Sequence, residues 1–80
     1  AEQAHGAMLL TRWEQLTPRE RQVFDGVARG LLNKQIAGEL GLSEITVKLH
    51  RASMLKKMGV RTVADLVRIS DALSLVRPQP

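Results

Sequence analysis

Gly41 constrains this chain more than any other residue. Ile36, Ala37 and Leu40 lie before it at helical spacing, Val47, Met54 and Met58 lie after it, and only Gly41-Leu42-Ser43 separate the two runs. A connection that short obliges two helices to fold directly against each other. Glycine, lacking a Cβ, supplies the left-handed residue that ends the first of them. Ala37 is small where the helices must cross, Leu42 is apolar and can plug the angle between them, and Val47 returns an apolar side chain to the core. Each residue type has a steric reason for its position. The resulting pair leaves the outer face of the second helix free, which suits a helix held in the major groove of DNA.

Helical signals dominate the rest. Thr17-Pro18-Arg19-Glu20 is a capping box with proline at the first helical position, so a helix starts at Thr17. Val23, Phe24, Val27, Ala28 and Leu31 give it one apolar stripe, and Gly30 closes it. Asn33 is a suitable cap for the next helix, whose inward residues are Ile36, Ala37 and Leu40. Ser43 caps a longer helix running to about Met58 and stopped by Gly59, and Thr62 caps a fourth. The expectation is an all-α domain of four helices over residues 14–76, preceded by a linker over 1–13 and followed by a frayed tail over 77–80 that carries Pro78 and Pro80. Gly6 weakens a helix in the linker, but Leu9, Trp13 and Leu16 fall on one helical face and can dock on the domain.

Eighty residues make one small domain with little spare core for an enzyme cleft. The absence of cysteine excludes disulfides and thiolate metal sites. His5 and His50 have no Cys, Asp or Glu at ligand spacing, and His50 reads as a packed histidine bonding backbone or phosphate. The carboxylates Glu14, Glu20, Asp25 and Glu39 read as helix-start or surface charges. No catalytic, metal or cofactor site is expected. No run approaches the ~20 apolar residues of a membrane span, and the N-terminus lacks a signal-peptide order. An opening Ala1 in place of methionine fits a fragment or a processed product. The net charge of +4 favours polyanionic partners only weakly.

The Ser43-capped helix sorts by angle at about 100° per residue. With Val47 inward, Met54 and Met58 lie within about 20° of it, and His50 and Arg51 lie on the flanks. Ile45, Leu49, Ala52 and Lys56 point the opposite way, with Lys48 at their edge. Leu49 and Ala52 can touch thymine methyl groups, and Lys48 can reach guanine O6 or N7. Phosphate contacts are expected at the helix N-termini around Lys34 and Thr46, and from Arg51, Lys56 and Lys57. In the last helix, Val63, Leu66, Val67 and Ser70 form the expected core face. A second apolar set, Ile69, Ala72, Leu73 and Val76, calls for another partner: the linker, or a second copy of the domain in a two-fold dimer.

Several blocks match a known family in order. Leu16-Thr17-Pro18-Arg19-Glu20-Arg21-Gln22-Val23, Gly30-Leu31-Leu32-Asn33-Lys34-Gln35-Ile36-Ala37, Leu42-Ser43, Thr46-Val47-Lys48-Leu49-His50-Arg51-Ala52 and Leu55-Lys56-Lys57-Met58 closely resemble the LuxR-type DNA-binding domain. The match is to its FixJ/NarL branch and covers about Leu16 to Ile69. The resemblance implies four helices, the second and third forming the helix-turn-helix and the fourth often making dimer contacts. It implies a cytoplasmic transcriptional regulator that binds an operator in double-stranded DNA, sits behind a phosphorylatable receiver domain, and has RNA polymerase as a further partner. It places Lys48 and Leu49 at base edges and Lys34, Thr46 and Arg51 near phosphates. Some members read a base with a lysine four residues after the Lys48 position, where this chain has Ala52; the Arg51-Ala52 pair leans toward the FixJ-like subgroup and toward activation. Two other readings remain: the promoter-reading domain of a sigma factor, which shares the Leu-Ser…Thr-Val-Lys cadence, and a helical protein-interaction module.

Overall fold

Threonine, serine and glycine punctuate the chain where the helices start and stop. A computed structural model describes the backbone of residues 2–74 and the side chains of residues 7–74, all of it helix and turn. The helices are α1 (Glu2–Glu14), α2 (Pro18–Ala28), α3 (Asn33–Leu40), α4 (Glu44–Met58) and α5 (Val63–Ser74). The Thr17 hydroxyl accepts from the Glu20 N–H, and the Glu20 carboxylate accepts from the Thr17 N–H, which completes the expected capping box. Ser43 caps α4 by accepting from the Thr46 N–H, and Thr62 caps α5 by accepting from the Asp65 N–H. Asn33 does not cap α3. Leu32 holds that position, its N–H donating to the Gln35 side chain, and Asn33 is the first residue of the helix.

Helix α4 lies at the centre, with α1, α2 and α3 packed on it and α5 packed on α1 and α2. The core joins Val23, Phe24 and Val27 of α2 to Ile36 and Ala37 of α3, Val47, Met54 and Met58 of α4, and Leu66 and Leu73 of α5. Where α2 meets α3, Gly26 makes the approach close: a Cβ there would stand 2.8 Å from Cγ1 of Ile36.

The N-terminal segment is helical straight through Gly6, although an interior glycine costs about 1 kcal/mol relative to alanine. Tertiary contacts repay that cost. Leu9 and Leu16 are buried in the common core, and Trp13 packs half-buried against it. The Arg21 guanidinium stands 4.0 Å above the Trp13 ring and donates to the Glu14 carbonyl at the end of α1. Arg12 donates to the Met58 carbonyl at the end of α4, where a cation suits the helix dipole. The expected linker boundary at 13/14 falls inside this helix.

Packing of α1 corrects the reading of α5. Leu66 is in the core as expected, but Val63 and Val67 are exposed at 38% and 36%. Leu73, expected to face either the linker or a second copy of the domain, has no exposure at all. Ile69 and Ala72 are half-buried against the same core, and Val76 lies outside the described residues, as does the tail over 77–80. Leu66, Ile69 and Leu73 fall at i, i+3 and i+7, a single stripe that α1 helps to cover.

If α1 is part of the core, Leu9→Ala costs about 2–5 kcal/mol. Exposed Met8→Ala stays within about 0.5 kcal/mol. Urea unfolding followed by circular dichroism measures both, and equal effects would show that α1 contributes no core.

Candidate nucleic-acid interface

The turn before α4 is built as its residues demand. Gly41 ends α3 in the left-handed conformation at φ 67°, and the Leu42 N–H donates 3.0 Å to the Ala37 carbonyl. Leu42 is half-buried beneath the turn. Val47, Met54 and Met58 then go fully into the core, so the side of α4 opposite them faces solvent. Ile45 is 72% exposed and Leu49 67%, and Lys48, Ala52 and Lys56 are exposed beside them. The face expected to be free is free.

Polar ties hold α4 in this orientation and engage two of the side chains expected to contact phosphates. Arg51 is half-buried and donates 3.0 Å to the Asn33 side chain, bridging the middle of α4 to the start of α3. Lys57 lies 2.7 Å from the buried Glu20 carboxylate and contributes to the α2–α4 packing. Each keeps N–H donors beyond its internal bonds, and the Lys57 side chain is 37% exposed, so these ties fix where the charge sits. Thr46 is changed as well: its N–H is taken by Ser43, and its hydroxyl oxygen accepts from Ser43 at 2.9 Å. Only the Thr46 hydroxyl proton remains to be donated.

Glu20 reads from sequence as a helix-start charge, and it is that, but it is also the polar centre of the α2–α4 contact. Burial by itself would raise its pKa. Hydrogen bonds from Lys57, Ser53 and the Thr17 N–H, with the Lys57 charge, outweigh burial and hold it at about 2.

The remaining cations divide cleanly. Arg12, Arg19, Arg21, Arg29, Arg51, Lys57 and Arg68 have partners inside the domain. Lys34, Lys48, Lys56 and Arg61 are exposed, and no hydrogen bond or ion pair engages them among the described residues. Sequence reasoning passed over Arg61, whose one signal was its place in the turn after Gly59. Lys34 stands in the first turn of α3, the one N-terminus of α2–α5 without a side-chain acceptor on its cap residue. His50 is half-buried with no hydrogen-bond partner among the described residues. No three His, Cys, Asp or Glu side chains come together there to hold a metal ion.

A helix pair closed by a left-handed glycine, with an unobstructed second helix, defines a helix-turn-helix module. Residues 14–70 match the family described as bacterial regulatory proteins, luxR family, and the chain belongs to that family. It is 52% identical over 69 residues to nodulation protein W of Bradyrhizobium diazoefficiens, covering 86% of this chain and 30% of that protein. It is 49% identical over 57 residues to the transcriptional regulatory protein UhpA of Escherichia coli, covering 71% and 29%. Full-length FixJ from B. japonicum superposes with a TM-score of 0.83 at 35% identity, over 92% of this chain and 36% of that one. The response regulator StyR superposes with a TM-score of 0.82 at 45% identity, over 86% and 35%. The chain thus spans about a third of the length of these relatives. Residues 14–70 are a LuxR-type DNA-binding domain of the kind found in transcriptional response regulators.

The Glu20 carboxyl binds its proton more weakly in the folded chain than at its ordinary value of 4.5. Its contribution to stability is therefore complete above pH 4.5 and is lost as the pH falls toward 2. Glu20→Gln should lower the melting temperature at neutral pH and flatten the acid limb between those values. An unchanged acid limb would remove Glu20 from this role.

Proposed function

We propose that this domain is the output module of a two-component response regulator, inserting α4 into the major groove of its operator to regulate, and in this subgroup to activate, transcription. The observation that carries the reading is the exposed outer face of α4, turned away from Val47, Met54 and Met58. Lys48, Leu49, Ala52 and Ile45 lie at base edges, Lys48 as hydrogen-bond donor to guanine. Lys34, Lys56 and the Thr46 hydroxyl serve phosphates. The α3 amides support Lys34, because the apolar Leu32 leaves them without a side-chain cap. Arg51 and Lys57 act from inside the domain by setting the angle of α4 against α3 and α2.

The role is binding and carries no catalysis or cofactor. A receiver domain preceding this module, RNA polymerase and a second copy on DNA complete the set of partners, all in the cytoplasm. No helix among the described residues is long and apolar enough to cross a membrane. With Leu73 buried, two-fold pairing through α5 would use the side that bears Val63 and Val67.

Neutralising about four phosphates would make log K fall against log salt with a slope of about −3.6. Lys48→Ala should weaken specific binding by about 1–3 kcal/mol while leaving affinity for random duplex nearly unchanged. Fluorescence anisotropy over a salt series, with selected and random duplexes, measures both quantities. Salt-independent or absent binding would sink the assignment, and equal losses on the two duplexes would make Lys48 a phosphate contact instead.

A further inference from the structure

The outer face of α4 is chemically unusual for a surface that must distinguish bases. Ile45, Leu49 and Ala52 follow at i, i+4 and i+7, all exposed, and form one ridge within about 40° of the line opposite Val47. The ridge is about 10 Å long at 1.5 Å per residue, comparable to the rise of three base pairs. No asparagine or glutamine stands anywhere on α4, and its one carboxylate is Glu44 in the first turn. The side chains that pair with adenine N6 and N7 are thus missing from the helix. Exposed Ile45 and Leu49 also cost solubility with no return in the free domain, since they touch none of its core.

The major groove offers such a ridge one apolar feature, the C5 methyl group of thymine. Lys48 stands at the edge of the ridge and Lys56 continues its line, both without internal partners among the described residues, so the face combines apolar relief with positive charge, as an apolar feature set between phosphates requires. We infer that Ile45, Leu49 and Ala52 read thymine methyl groups as a ladder, selecting half-sites in which thymines adjoin a guanine contacted by Lys48. The inference rests on the proposed DNA-binding mode and deepens it. Adenines in the operator are then recognised through the methyl groups of the thymines they pair with.

The test begins by selecting bound duplexes from a random pool with the full 80-residue chain. The selected half-site is then rebuilt with deoxyuridine in place of each thymidine, which deletes the methyl group and keeps every hydrogen-bonding group. Each methyl in contact should be worth about three- to fivefold in affinity, with the salt slope unchanged. Leu49→Ala should abolish the penalty at one thymine and leave the others. Its side chain is outside the core, so folding is preserved. Deoxyuridine duplexes bound as tightly as thymidine duplexes, with a normal salt slope, would overturn methyl reading and leave the DNA-binding assignment intact. Selection of no duplex at all would overturn both.

Discussion

A helix with apolar side chains on two sides must be told which side to bury, and in α4 polar ties supply that instruction. Val47, Met54 and Met58 face one way, Ile45 and Leu49 the other, so the hydrophobic effect alone discriminates poorly between the two rotations. Ser43 pins the N-terminus, Arg51 hooks the middle to Asn33, and at the far end Lys57 meets Glu20 while Arg12 takes the Met58 carbonyl. The Ser43 cap turns with the helix, but rotating α4 by half a turn would break the ties of Arg51, Lys57 and Arg12 and bury Lys48 and Lys56 without partners, at a cost of several kcal/mol. The exposure of the recognition face is therefore a consequence of contacts made elsewhere on the helix.

Helix α1 extends the same logic to the edge of the domain. Its Leu9 reaches the core, its Arg12 caps α4, and its packing on α5 covers the side that carries Leu73. The N-terminal helix is thus tied directly to the C-terminal end of α4.

Residue-level chemistry made the turn, the caps and the facing of α4 legible. Thr17, Ser43, Thr62 and Gly41 act through interactions confined to a few neighbouring residues, and such interactions leave their mark in sequence spacing. The inward set Val47, Met54 and Met58 followed from one angle and one reference residue. What escaped was long-range. Nothing in the spacing of Asn33 announces that a guanidinium eighteen residues away will claim its side chain and leave the cap to Leu32. Lys57 looks like any other lysine at the end of a helix until Glu20 arrives from α2. The two apolar sides of α5 were both visible, but the choice between them depended on α1, whose Gly6 argued against the helix that makes the choice.

The division of the cations bears on how such a surface can be selective at all. Arginines with internal partners are held in fixed geometry, while three of the four free cations among the described residues are lysines, mobile point charges on flexible stems. In the proposed binding mode Lys34 and Lys56 would supply attraction to phosphate with little angular preference, and Lys48 would add one guanine contact. Most of the discrimination would then come from shape. A rigid ridge of branched and small side chains is intolerant of a one-step change in register, because a misplaced methyl either collides or leaves a gap. On that reading most of the attraction and most of the sequence preference would fall to different residues of α3 and α4, so that changes at Ile45, Leu49 or Ala52 would alter the preferred site without disturbing the charge that brings the duplex close.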